Sequence, residues 1–452
     1  MLKLKHIIAL EQRVVLCMNK KLKFTAFLLI VFGVGCSLFQ GFCKSSANAN
    51  MHYVVIGCSA AGFYAAKELV KLGKNIRVSC ISEENSNPYN KTQFHSYVAK
   101  KGQRSSRVDL SKGNSPNLEF ILGAKVIAID SANKTISFAD NKTISYDKLL
   151  IATGARPFVP PHLSALLPTS KIRFYNTKDD VNAILDVVDN NLSAHVVIVG
   201  AGIRSLELSD GLKRRNSNIK ITILNRSAQF LGEHGDVGSD EFIIKRLKEA
   251  DINFIAPANI KNVSEHENKL KIGHEGGELL ADLMVFALGT VSNSELAKSA
   301  QLELYADGSI KVDNQLKTTN KDIYAAGDVA GFKNPLGEGW VRSAKWRSSK
   351  QQGQIAAANM LGQHRTYKHE PAAFMSSFFG MKAVVSGNVR SRPLNSSLTK
   401  AETKRYLRYV LEDKRLKGFM TIWDKGQKRP NIFLLRRKLN GQGPVSAAEL
   451  YR

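Results

Sequence analysis

The stretch MHYVVIGCSAAGFYAAKELVKLGKNIRVSCISE, Met51–Glu83, decides the fold. It reads as one strand, a tight glycine turn, a helix and a second strand, because the apolar run Tyr53–Ile56 stops at Gly57 and a second apolar run closes the unit. Gly57, Ser59 and Gly62 keep the spacing G-x-G-x-x-G with serine in its second place. Such a turn aims free backbone N–H groups at a pyrophosphate. Gly57 makes the turn, the small residues Ser59, Ala60 and Ala61 permit close approach, and Gly62 lets the helix pack on the strand with its positive end toward the phosphates. Glu83 follows Gly57 by 26 residues, where an acidic side chain accepts the ribose hydroxyls.

A second copy strengthens this reading. HVVIVGAGIRSLELSDGLKRRNSNIKITILNR, His195–Arg226, repeats the order of strand, glycine turn, helix and strand. Gly200 and Gly202 keep the first two glycines, Ser205 replaces the third, and Glu207 on the following helix is a candidate for nicotinamide contact. Its second strand ends in Leu224-Asn225-Arg226, with no carboxylate. That loss removes the ribose acceptor, and Arg226 is suited to a 2′-phosphate, which tilts the choice toward NADPH. Two such units in one chain indicate two nucleotides, a flavin and a nicotinamide.

At 452 residues the chain has room for two or three domains. Its formal charge of +26 is the unusual quantity, and residues 1–50, with seven Lys/Arg and one Glu, carry little of it. The basic surplus therefore belongs to the body and points to an acidic partner. No motif supports nucleic acid. The five cysteines are Cys17, Cys36, Cys43, Cys58 and Cys80, and none forms a Cys-x-x-Cys pair. Cys58 and Cys80 are expected to be small buried residues of the first unit.

Residues 1–50 are expected to lie outside the fold. From Met18 a basic MNKKLK precedes the apolar stretch Phe24–Phe42 and the small-residue segment around Ala47–Ala49, the pattern of an export signal; the stretch is also long enough to anchor the chain in a membrane. A start at Met51 would instead leave the protein in the cytoplasm. Further along, strands are expected at Leu118–Leu122, Lys125–Asp130, Thr135–Phe138, Leu149–Ala152 and Leu283–Leu288, and helices at Asn176–Val188 and Asp240–Asp251. A long helix is expected from Trp346. In the tail, Met381–Ser386, Arg405–Leu411, Gly418–Trp423 and Ile432–Leu435 read as an antiparallel sheet.

The paired turns, YDKLLIATGARP (Tyr146–Pro157), DIYAAGDVA (Asp322–Ala330) and the Trp346 to Gln352-Gly353 to Ala356–Gly362 segment together resemble the pyridine nucleotide-disulfide oxidoreductases. The nearest branch is that of rubredoxin reductases, ferredoxin reductases and the flavin module of assimilatory nitrite reductases. The resemblance implies an α/β fold with two Rossmann-like domains of the glutathione-reductase kind, for FAD and NAD(P), plus a C-terminal α+β interface domain. It implies a leader or anchor at 1–50, the FAD domain at 51–165 and 291–366, the NAD(P) domain at 166–290 and the interface domain at 367–452. FAD would take Gly57, Ser59, Ala60, Ala61, Gly62 and Glu83, with Thr153-Gly154 closing over it, Gly327-Asp328 on the ribityl chain, and Lys91 and Trp346 nearby. Lys91 would act catalytically by stabilising the reduced flavin. Gly200, Gly202, Ser205, Glu207, Asn225, Arg226 and Gly289 would serve the nicotinamide nucleotide.

Departures from the family matter as well. Disulfide-reducing members place two cysteines on the helix after the first turn, and Phe63–Leu72 has none; single-cysteine relatives use the next segment, and Asn85–Lys101 has none. What remains is hydride transfer from nicotinamide to flavin followed by electron release. The reading is thus an FAD-dependent NAD(P)H oxidoreductase serving an acidic rubredoxin- or ferredoxin-like carrier, with homodimers through the tail. A reductase or oxidase of quinone, oxygen or sulfur species, and a flavin-binding protein of vestigial activity, are the alternatives.

Overall fold

The apolar strand Met51–Ile56 lies at the centre of a five-stranded parallel sheet, in the order Ile323–Ala325, Lys148–Ile151, Met51–Ile56, Ile76–Ile81, Leu118–Ile121. The structure, a computed structural model, describes residues 50–100, 109–110, 115–166, 169–334, 339–342, 345–369, 373–389, 397–441, 444–446 and 449–450. Val54, Val55, Leu149, Leu150 and Ile323 are fully buried in this sheet, as strands with helices on both faces require. The expected strands appear with ends shifted by a residue or so, as Val126–Asp130 and Thr135–Phe138 illustrate.

A second parallel sheet is built alike, in the order Ile252–Ile255, Lys220–Leu224, His195–Val199, Leu283–Phe286, Ile172–Phe174. The helix Lys178–Asn190 that leads into it starts at a capping box, with Thr177 accepting from Asp180 N and the Asp180 carboxylate accepting from Thr177 N. Helix Val237–Glu249 starts three residues before Asp240, because Asp236 caps it by accepting from Ser239 N. The chain passes between the two sheets twice, and the strands that make these passages, Ala155–Pro157 and Thr290–Ser292, pair antiparallel. Asn293 fastens the crossing: its amide donates to Thr153 O at 3.0 Å and its carbonyl accepts from Thr153 Oγ1 at 2.6 Å.

The tail forms a five-stranded antiparallel sheet, in the order Ala373–Phe378, Met381–Gly387, Arg415–Asp424, Arg405–Glu412, Ser397–Glu402. One face joins the core of the second domain through Phe378, Met381, Tyr406 and Met420. Arg246 on Val237–Glu249 holds Asp424 with two hydrogen bonds of 2.8 and 2.6 Å, and Tyr406 donates to Asp236 at 2.6 Å. Ile432–Leu435, expected as a strand, is instead the first turn of helix Ile432–Asn440. Asn431 caps that helix by accepting from Leu434 N at 2.9 Å. Ile432, Leu435 and Leu439 then fall on one face against the sheet's other side, while Phe433 points outward, 81% exposed. The spacing is helical; a run of four apolar residues cannot display it.

Among the described residues, no helix is long and apolar enough to cross a membrane. The expected leader lies outside them.

Candidate functional site: two dinucleotide turns and the groups around them

Each parallel sheet ends in a turn that only glycine can make. Gly57 has φ +100°, and a Cβ there would sit 2.2 Å from Ala152 O; Gly200 repeats the conformation at φ +109°. A Cβ on Gly62 would lie 1.7 Å from Gly57 O, so helix Ala60–Leu72 reaches the strand only because this residue has no side chain. Ser59 stands at the N-cap without a side-chain capping bond, and the first turn holds no acidic residue. Its N–H groups are left for an anion. Ala60 and Ala61 are buried beside it, and Glu83, just past the second strand, is exposed. Gly202 likewise caps helix Ile203–Arg215 without a side-chain bond, and no atom lies within 4 Å of where its Cβ would be.

The rest of the first cradle comes from distant segments. Gly327 turns at φ +84°, and its N–H donates to Gln352 Oε1 at 2.7 Å, while Gln352 Nε2 is buried with no partner. Asp328 beside it accepts from Ser349 Oγ at 3.3 Å. Burial raises its carboxyl above the ordinary range against the pull of Lys91, Ser349, Arg342 and Arg204. A half-buried carboxylate and an orphaned buried amide beside a glycine turn fit the hydroxyls and ring polar atoms of a flavin nucleotide. Gly154, at φ +70°, has open space where a Cβ would be, next to the Thr153–Asn293 clasp.

Lys91 opens the short turn Lys91–Gln93, with its amine 5.9 Å from the Tyr89 ring centroid. Burial lowers its pKa; Glu84, Asp328 and Asp180 act against that, and Arg204 adds to it. Lys91 and Asp328 are therefore electrostatic neighbours, brought together from segments more than 200 residues apart. Trp346 is the first residue of helix Trp346–Met360, edge-on to Tyr64 at 6.3 Å.

In the second cradle, Ser205 is fully buried and its hydroxyl has no partner. Glu207 accepts from Ser376 Oγ of the C-terminal sheet, and so faces a neighbouring strand. Asn225 spends its amide on Ser227 O at 2.7 Å and Gln229 O at 3.1 Å, bracing its own loop, whereas Arg226 is exposed. Gly289 sits at the crossing, its carbonyl accepting from Phe158 N at 2.8 Å.

Sequence reasoning missed Gln352 as a flavin-side group, Ser349, Asn293 and Arg204. Arg204 donates to Tyr175 O and lies 4.8 Å over the Tyr175 ring. No local pattern marks these residues, which are defined by what they meet across domains. Cys58 and Cys80 are both free and buried, and burial next to Cys58 pushes the Cys80 thiol well above the ordinary range. A thiol held protonated in the core is not a relay.

Two dinucleotide turns on two parallel sheets, joined by a paired crossing, define the class of flavin and nicotinamide oxidoreductases. Residues 51–357 match the profile of the pyridine nucleotide-disulphide oxidoreductase family, and the chain belongs to it. It is similar to an NADH oxidase of Methanocaldococcus jannaschii, 28% identical over 332 residues that cover 69% of this chain and 70% of that one. It is also similar to a rubredoxin-NAD(+) reductase of Pseudomonas putida, 26% identical over 341 residues, 73% of this chain and 85% of the other. Among solved structures, the covalent putidaredoxin reductase–putidaredoxin complex shares the fold at TM-score 0.73 and 22% identity, covering 83% of this chain and 90% of that one. The protein is an FAD-dependent NAD(P)H oxidoreductase.

Proposed function

We propose that the protein passes electrons from NAD(P)H to a small acidic carrier protein. When bound, FAD supplies the chemistry that takes two electrons as a hydride and releases them singly. The chain's own residues position the nucleotides at the two turns, hold the thiols of Cys58 and Cys80 in the core and present a docking face. One observation carries this reading. Phe63, Tyr64, Lys67, Lys71, Lys350 and Gln354 line an open cleft of about 430 Å³ with Glu68 and Leu110. Lys350 Nζ stands 4.3 Å from the Tyr64 ring centroid and Lys67 Nζ 5.5 Å from that of Phe63. Trp346, touching Tyr64, opens the helix whose next turns carry Ser349 and Gln352 to the Asp328 cradle. Lysines over aromatic rings, a helix turn or two from that cradle, suit an acidic carrier with an exposed redox centre. The similar proteins named as rubredoxin and putidaredoxin reductases support it.

The test is steady-state reduction of an acidic iron–sulfur carrier and, separately, of a neutral quinone. Lys67→Glu combined with Lys350→Glu is expected to lower kcat/KM for the carrier more than about tenfold, leaving the quinone rate unchanged. Equal carrier rates in variant and wild type would overturn the docking face. The resemblance to an NADH oxidase favours a small-molecule acceptor as second reading, under which only the quinone or oxygen is turned over by either form. We also infer that residues 18–49 export or anchor the chain, to be checked by N-terminal sequencing of the native protein. The C-terminal sheet is inferred to pair two copies, and light scattering giving a monomer mass would refute that.

A further inference from the structure

The crossing strand Thr290–Ser292, by which the chain leaves the second nucleotide domain, is held from the side by an arginine of a separate sheet. Arg342 ends the strand Trp340–Arg342, which pairs antiparallel with Ala330–Lys333 and sets Arg342 opposite Gly331, three residues past Asp328. Its guanidinium spreads three ways. Nε pairs with Asp307 Oδ2 at 2.9 Å, Nη1 donates to Ser292 Oγ at 3.3 Å and Nη2 donates to Thr290 O at 3.4 Å. Ser292 is buried, and since an arginine only donates, the serine hydroxyl spends its own proton elsewhere, on Asp328 O at 3.2 Å. One side chain thus ties the exit strand of the second nucleotide domain to the backbone of the carboxylate in the first cradle.

Asp307 aims this fork. Its Oδ1 accepts from Ser309 N at 3.0 Å and from Ser309 Oγ at 2.6 Å, and the Trp340 indole donates to the same carboxylate. Burial pushes the carboxyl up, yet the bonds from Ser309, Arg342 and Trp340 outweigh it and hold it below the ordinary range. Tyr305, at the start of that turn, stacks on Trp340 with 5.4 Å between ring centroids and 9° between planes. A Cβ on Gly331 would fall 2.3 Å from Ser309 Oγ, so the turn rests directly on the strand that follows Asp328. The arrangement exceeds what an ion pair needs. A half-exposed Arg–Asp pair alone adds little stability, whereas two of the three contacts of Arg342 reach the crossing, on the strand that Gly289 precedes and that Asn293 clasps to Thr153.

We propose that Arg342 is a positioning residue for hydride transfer: by gripping Thr290 and Ser292 it fixes the second nucleotide domain against the Asp328 cradle. The bound nucleotides supply the chemistry, a hydride that leaves the nicotinamide, which is oxidised, and reduces the flavin. The chain supplies their registration, to which such a transfer is steeply sensitive. The inference rests on the protein being an FAD-dependent NAD(P)H oxidoreductase and not on the acceptor it serves.

The experiment compares Arg342→Met, Arg342→Lys and Ser292→Ala with wild type, as full chains loaded with FAD. Anaerobic bleaching of the flavin at saturating NADPH or NADH, whichever the wild type prefers, is expected to slow about tenfold or more in both Arg342 variants. The loss is smaller in Ser292→Ala, which gives up one contact of the three. Calorimetric affinity for the oxidised form of the same nucleotide stays within about twofold of wild type, because the second glycine turn is untouched. Lysine keeps a charge near Asp328 but lacks the fork, so it does not restore the rate. Separately from turnover, hydrogen exchange is followed at the amides of Phe158 and Asn293, which bond to Gly289 O at 2.8 Å and Gly154 O at 3.0 Å. Exchange there quickens severalfold in the Arg342 variants, with or without FAD, as the crossing loosens. Wild-type bleaching overturns the proposal, and so does wild-type exchange. Full recovery by lysine also overturns it, by assigning the effect to charge alone. A loss of nucleotide affinity equal to the loss of rate does the same, since Arg342 would then be a binding group. Where Arg342→Met fails to fold, Ser292→Ala decides: bleaching and exchange at the wild-type rates refute the relay.

Discussion

We propose that nucleotide choice turns on Arg226. It is exposed just past strand Lys220–Leu224, while neighbouring Asn225 is tied down by its own loop. A charge-assisted bond from an arginine to a 2′-phosphate is worth about 1.5–3 kcal/mol, or roughly tenfold or more in affinity. Arg226→Ala is therefore expected to raise the KM for NADPH about tenfold and to leave that for NADH within twofold; equal effects on both nucleotides would show that the arginine does not discriminate. Legibility at this scale was uneven for a physical reason. Gly57, Gly62 and Gly200 announce themselves because a turn constrains residue type locally. Gln352 and Asn293 gain their roles only from groups that lie far away in sequence. Glu207, expected beside the nicotinamide, also accepts a hydrogen bond from Ser376 of the tail sheet, a contact that no local pattern marks.

Helices Ala60–Leu72 and Trp346–Met360 meet at a point where neither has a side chain to spare. A Cβ on Gly353 would fall 2.0 Å from Ala61 O, so the glycine of the Gln352-Gly353 pair sets the helix separation, and that separation places Gln352 on Gly327. Gly353→Ala forces the helices apart. Overpacking of this kind costs about 1–3 kcal/mol, and the displaced Gln352 loosens the cradle as well. The variant should melt lower and lose its flavin on gel filtration; full yellow retention would refute the role given to this crossing. Element boundaries that rested on long apolar runs were legible in the sequence. Those set by capping were not, which is why Asp236 moves one helix start and Asn431 turns an expected strand into a helix.

The whole molecule carries a formal charge of +26, most of it on the body, yet many half-buried cations are individually paired. The excess is therefore a property of the surface, where it acts at long range rather than through fixed bridges. Around the Tyr64 and Trp346 face, Lys67, Lys71 and Lys350 concentrate it, and Glu68, shared between Lys71 and Arg365, is the one carboxylate lining that cleft among the described residues. Encounter with an acidic carrier should then be accelerated at low salt and should lose that advantage once the Debye length shrinks to a few ångströms. Raising sodium chloride from about 0.05 M to about 0.5 M is expected to lower kcat/KM for the carrier roughly tenfold or more through a slower encounter, with kcat at saturating carrier nearly constant. The Lys67→Glu, Lys350→Glu protein should show a much flatter dependence, because the field it relies on has been reversed where it matters. A neutral quinone gives the control, since its encounter is not steered. If wild type and variant fell in parallel with salt, the charge that steers the carrier would lie on another face of the molecule.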